Sequence, residues 1–278
     1  MQANRCEMIN HHPCLSREAA HKYGRIHLPV APRCNIKCKY CLRKFDCANE
    51  SKPGISSMVL KPDEAMDRLR WYLERTDFIK VAAVAGPGEP LTNQQTFSLM
   101  KMIKEEFPEL ILCLSTNGLL LPDRMPDIIT LGVNTLTVTL NAVNPEIGAK
   151  IYSYINYNGK TYYGIDAAKI LLENQLAGIE EAVKAGIIVK INTIFIPEIN
   201  GDHLIDIANY IKKLDIYLMN LMPLIPQSDF AIFRAPRQEE LNNVRMKLRD
   251  IIPQMVHCKQ CRADSCGKVI DGHSKTCL

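Results

Sequence analysis

The chain has 278 residues, 47% hydrophobic and 23% charged, with 14 Gly, 16 Pro and a formal net charge of +4. This is globular composition with room for one large α/β domain or two small ones. The mild charge, without a run of five or six like charges, excludes an electrostatic footprint for nucleic acid, and apolar stretches no longer than VAAVAG exclude a membrane span.

Apolar, β-rich runs alternate with amphipathic patterns along the chain. Strands are expected at 25–31, 78–85, 110–116, 134–142, 187–197 and 215–226. Helices are expected near 62–76, 93–106, 123–131, 166–185, 201–214 and 238–252. Asp63, Asn93 and Asp123 stand where N-terminal caps are wanted. Six successive βα units imply a parallel sheet with right-handed crossovers, open or curled into a partial barrel, whose chemistry gathers at the C-terminal strand ends. One domain over 25–252 is expected, flanked by cysteine-bearing segments at 1–24 and 253–278.

Eleven cysteines are many for this length, and an odd number. The N-terminus MQANRCEMINHHPC has no apolar signal-peptide core, so the expectation is a cytoplasmic protein whose clustered thiols bind metal. Residues 33–47 read RCNIKCKYCLRKFDC. Cys34, Cys38 and Cys41 form C-x3-C-x2-C directly after the first expected strand. A cubane [4Fe–4S] cluster takes four thiolates, so three ligands leave one iron open to substrate. The bland alternatives are a zinc knuckle without its fourth ligand, or buried cysteines that meet by coincidence.

This pattern resembles the radical S-adenosylmethionine (SAM) superfamily, whose fold is a partial (β/α)6 TIM-type barrel. The resemblance implies a cluster on Cys34, Cys38 and Cys41 whose open iron chelates SAM for reductive cleavage to a 5′-deoxyadenosyl radical. It implies Tyr40 against the adenine, and the GPGEP turn (Gly86, Gly88, Glu89) at the amino group of SAM, with Pro87 where Gly is frequent. Ser115 and Asn117 of STNG, and Asn141 of TLNA, would stand at the rim; Asn117-Gly118 could equally be a plain turn.

Other thiols remain. Cys47 lies in the polar loop RKFDCANESKPG, and Cys113 shares a strand face with Ser115 and Asn117. Cys14 keeps company with His12, His21 and His27, while Cys258 and Cys261 form a second C-x2-C. Singly, Cys113 reads as a core residue, each histidine as a satisfied one, and the C-x2-C as half a zinc site or a redox pair. Together they could hold further clusters.

The combination of HPC, RIHLPVAPRCNIKCKYC, RKFDCANESKPG, GPGEPL, LSTNGL, NAVNPEIGAKIY, NLMPLIP and CKQCRAD resembles the NifB family of nitrogenase cofactor biosynthesis proteins, from about residue 12 to about 267. The resemblance implies two precursor [4Fe–4S] clusters besides the SAM-cleaving one. Cys14, Cys47, Cys113 and His27 would hold the first, with His21 and His12 as alternative nitrogen ligands; Cys258 and Cys261 would hold the second. One SAM would methylate a cluster sulfide. A second would yield the radical that takes hydrogen from that methyl, and the units would fuse into an eight-iron carbide core. Glu50 is a candidate proton acceptor, with a solvated acid as the plain alternative. Cys6, Cys266 and Cys277 receive no role. Implied partners are SAM, iron–sulfur donor proteins, nitrogenase cofactor carriers and an electron donor, with no nucleic acid or membrane, in an oxygen-protected cytoplasm. The length matches the short form without a C-terminal carrier domain. Two rival readings are a radical SAM activase or modifying enzyme with auxiliary electron-transfer clusters, and a non-catalytic iron–sulfur scaffold.

Overall fold

The computed structural model describes residues 2–49 and 58–269. Two helices lead in, α1 (Gln2–His11) and α2 (Arg17–Lys22), the second capped by Ser16, whose Oγ accepts from the Ala19 amide at 3.2 Å. Then come β1 (Gly24–His27), β2 (Ile36–Cys38), α3 (Pro62–Leu73), β3 (Ile79–Val84), α4 (Gln94–Glu106) and β4 (Ile111–Thr116). The middle of the chain gives α5 (Leu121–Leu131), β5 (Thr135–Thr139), α6 (Pro145–Ile151), β6 (Tyr152–Tyr157), β7 (Lys160–Tyr163) and α7 (Gly164–Lys184). It closes with β8 (Ile188–Phe195), α8 (Pro197–Asn200), α9 (Leu204–Lys212), β9 (Leu218–Pro223), α10 (Gln238–Arg249) and β10 (Cys266–Lys268). Among the described residues no helix is long and apolar enough to cross a membrane.

The main sheet runs β10-β1-β3-β4-β5-β8-β9. From β1 to β9 every pairing is parallel, as six βα units require, and these are the six expected strands. Strand alternation sorts the side chains. Leu112 and Leu114 of β4, Leu136 and Val138 of β5, and Val189 and Ile191 of β8 face the helices in one apolar core. Their neighbours Cys113, Ser115, Thr137, Lys190 and Asn192 face the concave side. One face of the curled sheet is thus oil and the other is polar, although both are buried. Leu114 is fully buried in the apolar layer; Leu114→Ala should cost ~3 kcal/mol, read as a lower urea midpoint at unchanged slope.

Three features differ from the sequence expectation. First, α6, β6 and β7 fill a stretch for which no element was expected; β6 and β7 form a hairpin that joins β2 in a second sheet, β2-β6-β7. Second, the C-terminal segment, for which no strand was expected, is tied to the sheet. Its backbone pairs with β9 at Met219 (Met219 N to Pro253 O 2.9 Å, Met255 N to Met219 O 2.8 Å), and β10 then lines up antiparallel to β1. It therefore spans the open side of the half-barrel from one sheet edge to the other, carrying Cys258 and Cys261 across the gap. Third, the helix starts shift. The cap of α3 is Lys61, whose amide donates to Glu64 Oε2 at 2.8 Å, and that of α5 is Leu120. Asp63 and Asp123 lie in the first turns instead, where a carboxylate still favours the exposed amides.

The N-terminal helix closes the floor. Met8 and Ile9 of α1, with Leu15, pack on Ile188, Leu218 and Met255 at the N-terminal ends of β8 and β9. Met8 also meets Val81 and Ile111 at the corresponding ends of β3 and β4.

Candidate active site

Two cavities lie end to end along the concave side. The front one is at the C-terminal strand ends and is lined by Cys34, Cys38, Cys41, Cys47, Gly88, Glu89, Ser115 and Asn117 among others. The rear one, deeper in the half-barrel, is lined by His12, Cys14, Arg25, His27, Cys113, Ser115, Lys190, Cys258 and Cys261 among others. Ser115 borders both.

The front cavity is built by a close approach of two backbones. The Gly88 amide donates to Ala31 O at 2.6 Å and the Glu89 amide to Arg33 O at 2.7 Å, stitching the GPGEP turn to the loop that enters the cysteine trio. A Cβ on Gly88 would stand 2.3 Å from Arg33 O, so only glycine fits. Asn93 locks the junction. It sits at the N-cap of α4, yet its side chain makes no capping bond. Its Oδ1 accepts from the Arg33 amide (3.2 Å) and its Nδ2 donates to Arg33 O (2.9 Å) and Glu89 O (2.7 Å). The expected helix cap is a clamp between the two motifs.

Glu89 is buried and its carboxylate accepts from Leu91 N (3.0 Å), Thr116 Oγ1 (2.6 Å) and Asn117 N (2.6 Å). Burial pushes it up to about 7, against the pull of those donors. Asn117 donates through Nδ2 to Asn35 Oδ1 at 2.8 Å and lies 3.9 Å from Cys34 Sγ. Burial, then the Glu89 charge, pushes the Cys34 thiol up to about 11. Burial with Cys41 and Cys34 pushes Cys38 further in the same direction. Buried thiols such as Cys34 and Cys38, which resist ionisation, suit bound iron, whose charge removes the penalty for the thiolates. Among the described residues no three His, Cys, Asp or Glu side chains converge on a single ion. A cubane asks for no such point, since each thiolate binds a different iron. The trio and its cavity fit a [4Fe–4S] cluster with one open iron.

Gly88, Glu89, Ser115 and Asn117 face this cavity, whereas Gly86, Tyr40 and Asn141 do not line it. Tyr40 is buried; its hydroxyl donates to Asn49 Oδ1 (2.5 Å) and accepts from Asn141 Nδ2 (2.7 Å). Asn141 is fully buried and also accepts from the Ile194 amide at 2.8 Å. Asn141 was expected at the rim and Tyr40 against the adenine; in the structure both side chains are buried and bonded to each other outside the lining of this cavity.

The structure also divides the expected set of Cys14, Cys47, Cys113 and His27. Cys47 faces the front cavity, because loop 42–49 folds back over the trio and is held there by Tyr40 and by Asn192 Nδ2, which donates to Asn49 O at 3.0 Å. Burial, then Cys41, Cys34 and Cys38, pushes its thiol up. Cys14, Cys113 and His27 instead share the rear cavity with Cys258 and Cys261. His21 lies exposed on α2, outside either cavity. Cys266 is in β10 against the apolar core, Cys6 is exposed on α1, and Glu50 and Cys277 lie outside the described residues.

Hydrogen bonds separate the two rear histidines. Burial, reinforced by Lys190 and Arg25, lowers the pKa of each to about 3, so both are neutral. His27 Nδ1 is 3.0 Å from the Arg262 carbonyl, which only accepts, so Nδ1 carries the proton and Nε2 keeps its lone pair. A ring oriented by a carbonyl on one nitrogen with the other bare is the usual form of a metal-ligating histidine. His12 has the opposite tautomer. Its Nδ1 accepts from the Cys14 amide at 3.1 Å, so Nε2 carries the proton, and that buried atom has no partner in the protein. His27 thus offers a bare Nε2 to the cavity, and His12 offers an Nε2–H. The sequence could not separate them, because the difference depends on which backbone group meets each ring.

Comparison with known proteins agrees with this geometry. Residues 28–211 match the radical SAM superfamily. The FeMo cofactor biosynthesis protein NifB of Methanocaldococcus infernus is 47% identical over 264 residues, 94% of this chain and 87% of the relative. That of Klebsiella pneumoniae is 41% identical over 271 residues, 95% of this chain and 58% of the relative. Among solved structures, anSMEcpe with bound AdoMet superposes with a TM-score of 0.58 at 14% identity, over 83% of this chain and 60% of that one. Methylornithine synthase (PylB) gives 0.56 at 15%, over 90% and 68%. These neighbours confirm the half-barrel fold, and the match along nearly the whole length decides the rest: the chain belongs to the NifB family of the radical SAM superfamily.

Proposed function

We propose that this chain is the radical SAM enzyme of nitrogenase FeMo cofactor biosynthesis that fuses two [4Fe–4S] units into an eight-iron core around a carbon from the SAM methyl group. One observation carries the reading: the lumen behind the cysteine trio is lined with thiols, neutral imidazoles and cations, and among the described residues no carboxylate lines it. Such a chamber suits an iron–sulfur anion rather than an organic substrate.

A [4Fe–4S] cluster on Cys34, Cys38 and Cys41 would supply the open iron that chelates SAM and the electron for its cleavage. The chain's own residues do the rest. Gly88, Glu89 and Asn117 orient SAM above the lumen, and Ser115 sits at the passage between the cavities. Cys14, Cys113, Cys258, Cys261 and the His27 Nε2 form the pool that anchors the precursor units, with Cys47 reaching from the front side. A nitrogen ligand holds iron less firmly than thiolate and releases it as the units merge. Packing of α1 and the C-terminal segment excludes water from the reacting carbon. Iron–sulfur donors would load the chamber, an electron donor would serve the front cluster, and cofactor carriers would collect the product.

Cys113→Ala and His27→Ala test the pool. After anaerobic reconstitution, Cys113→Ala should lower bound iron by about four per chain while SAM cleavage survives. His27→Ala should remove nitrogen hyperfine coupling from the rear cluster's electron spin-echo spectrum. Full iron in the first and unchanged coupling in the second would reduce the chamber to a structural core.

A further inference from the structure

Two cations are buried in the same lumen. Arg25 of β1 is 4% exposed and Lys190 of β8 is 7% exposed, and both line the rear cavity. Burying charge is costly unless something in the site repays it. They share this cavity with the thiols of Cys14, Cys113, Cys258 and Cys261. Arg25 Nη2 donates to Cys261 Sγ, and its Nη1 lies 3.5 Å from Gly267 O. The buried acid Asp264, outside the cavity lining, pairs with Arg262 at 3.0 Å. Two donors in the chamber are buried without a protein partner, Arg25 Nε and His12 Nε2.

Precursor ligation alone does not need this arrangement, since thiolates and imidazole hold iron by coordinate bonds. Fusion does. As the two units merge, their cysteine and histidine bonds must break, and a polyanionic cluster is left that nothing coordinate retains. Charge and N–H···S hydrogen bonds do not depend on those bonds. We propose that Arg25 and Lys190, with the His12 Nε2–H, form a cationic floor that retains the fused iron–sulfur anion after its ligands have let go, until a carrier collects it. This rests on the reading of the lumen as an assembly chamber.

The test uses the full chain, reconstituted anaerobically, with Lys190→Met, the charge-keeping Lys190→Arg, and Arg25→Met. Iron per chain is counted after gel filtration, before and after incubation with SAM and dithionite, and the rear clusters are titrated for midpoint potential. Before SAM, Lys190→Met should keep its iron, while the potential of its rear clusters moves negative because a nearby positive charge is gone. After SAM it should release its iron about tenfold faster than the unsubstituted chain, with Lys190→Arg restoring retention. Arg25→Met should act in the same direction. Unchanged potential together with equal retention after turnover would overturn the inference while leaving the chamber as the assembly site. A Lys190→Met chain that already lacks iron before SAM would overturn it too, making the lysine a structural residue. If the unsubstituted chain itself holds only about four irons, the chamber carries no cargo, and that reading and this inference fall together.

Discussion

Replacing Cys34, Cys38 and Cys41 together by alanine is expected to lower iron from about twelve to about eight per chain and to abolish SAM cleavage under strong reductant. The expectation follows from how the thiols are distributed. The trio lies in the front cavity with Glu89 and Asn117, while Cys14, Cys113, Cys258 and Cys261 lie behind Ser115 in a separate one. Removing one set leaves the other with its backbone intact, because the trio sits on β2 and its loop, outside the main sheet. Three small alanines in a pocket lined by Ile36 and Asn49 do not disturb the parallel core. Loss of all iron would mean that the rear cysteines hold no cluster unaided, and the enzyme would be a simple radical SAM protein. Retention of twelve would detach the trio from the chemistry altogether. Cys47 sharpens the experiment. It faces the same cavity, so any front cluster surviving a single Cys41→Ala change would mark Cys47 as a replacement ligand.

Most of the fold is legible in the sequence because parallel strands buried on both faces are short apolar runs, and the helices between them have a clear amphipathic period. What escaped has identifiable causes. The β6–β7 hairpin has its own signal, Asn158-Gly159, with both residues at positive φ (50° and 73°) as a two-residue turn demands. Tyr152–Tyr157 and Lys160–Tyr163 are half-exposed and aromatic, so an expectation built on apolar runs passes over them. The edge strand Cys266–Lys268 has three residues and a glycine in the middle. Only its partners Gly24, Arg25 and Ile26, more than two hundred residues away, make it a strand. The short helix α1 has no acid in its first turn and takes its place from packing at the barrel floor.

The site was legible where chemistry fixes spacing and opaque where tertiary contact decides. C-x3-C-x2-C and GPGEP announce themselves, since three thiolates on one cluster and a tight backbone turn both need fixed intervals. Cys113 could be placed beside Ser115 and Asn117 by strand alternation alone, and Cys113 and Ser115 do share the rear cavity. The apportioning of Cys47 could not be read, because it depends on loop 42–49 folding over the trio. The roles of Arg25 and Lys190 were invisible for a related reason. A charged residue inside an apolar strand pattern looks like an irregularity until the curvature of the sheet brings it into a lumen of sulfurs.

Gly88→Ala is the substitution with the largest expected effect for a single methyl group. The added Cβ would meet Arg33 O at 2.3 Å and Ala31 O at 2.8 Å, both backbone atoms with no rotamer to change. Relief requires the GPGEP turn to lift from the cysteine loop, breaking Gly88 N to Ala31 O and Glu89 N to Arg33 O. Two such bonds at ~1 kcal/mol each, with the strain of moving two chains, give ~3 kcal/mol or more. The consequence for function is larger than for stability. Arg33 adjoins Cys34, and Glu89 fixes Asn117, so the displaced turn shifts the proposed cluster ligand and the proposed SAM contact together. SAM binding by calorimetry should fall below detection, and iron should drop by about four per chain. Gly159→Ala is the matched control. Its φ of +73° makes alanine awkward, but nothing lies within 4 Å of the new methyl, so the cost is ~1 kcal/mol and SAM binding persists. If Gly88→Ala bound SAM as tightly as Gly159→Ala, the contact between the turn and the cysteine loop would not be what positions the site.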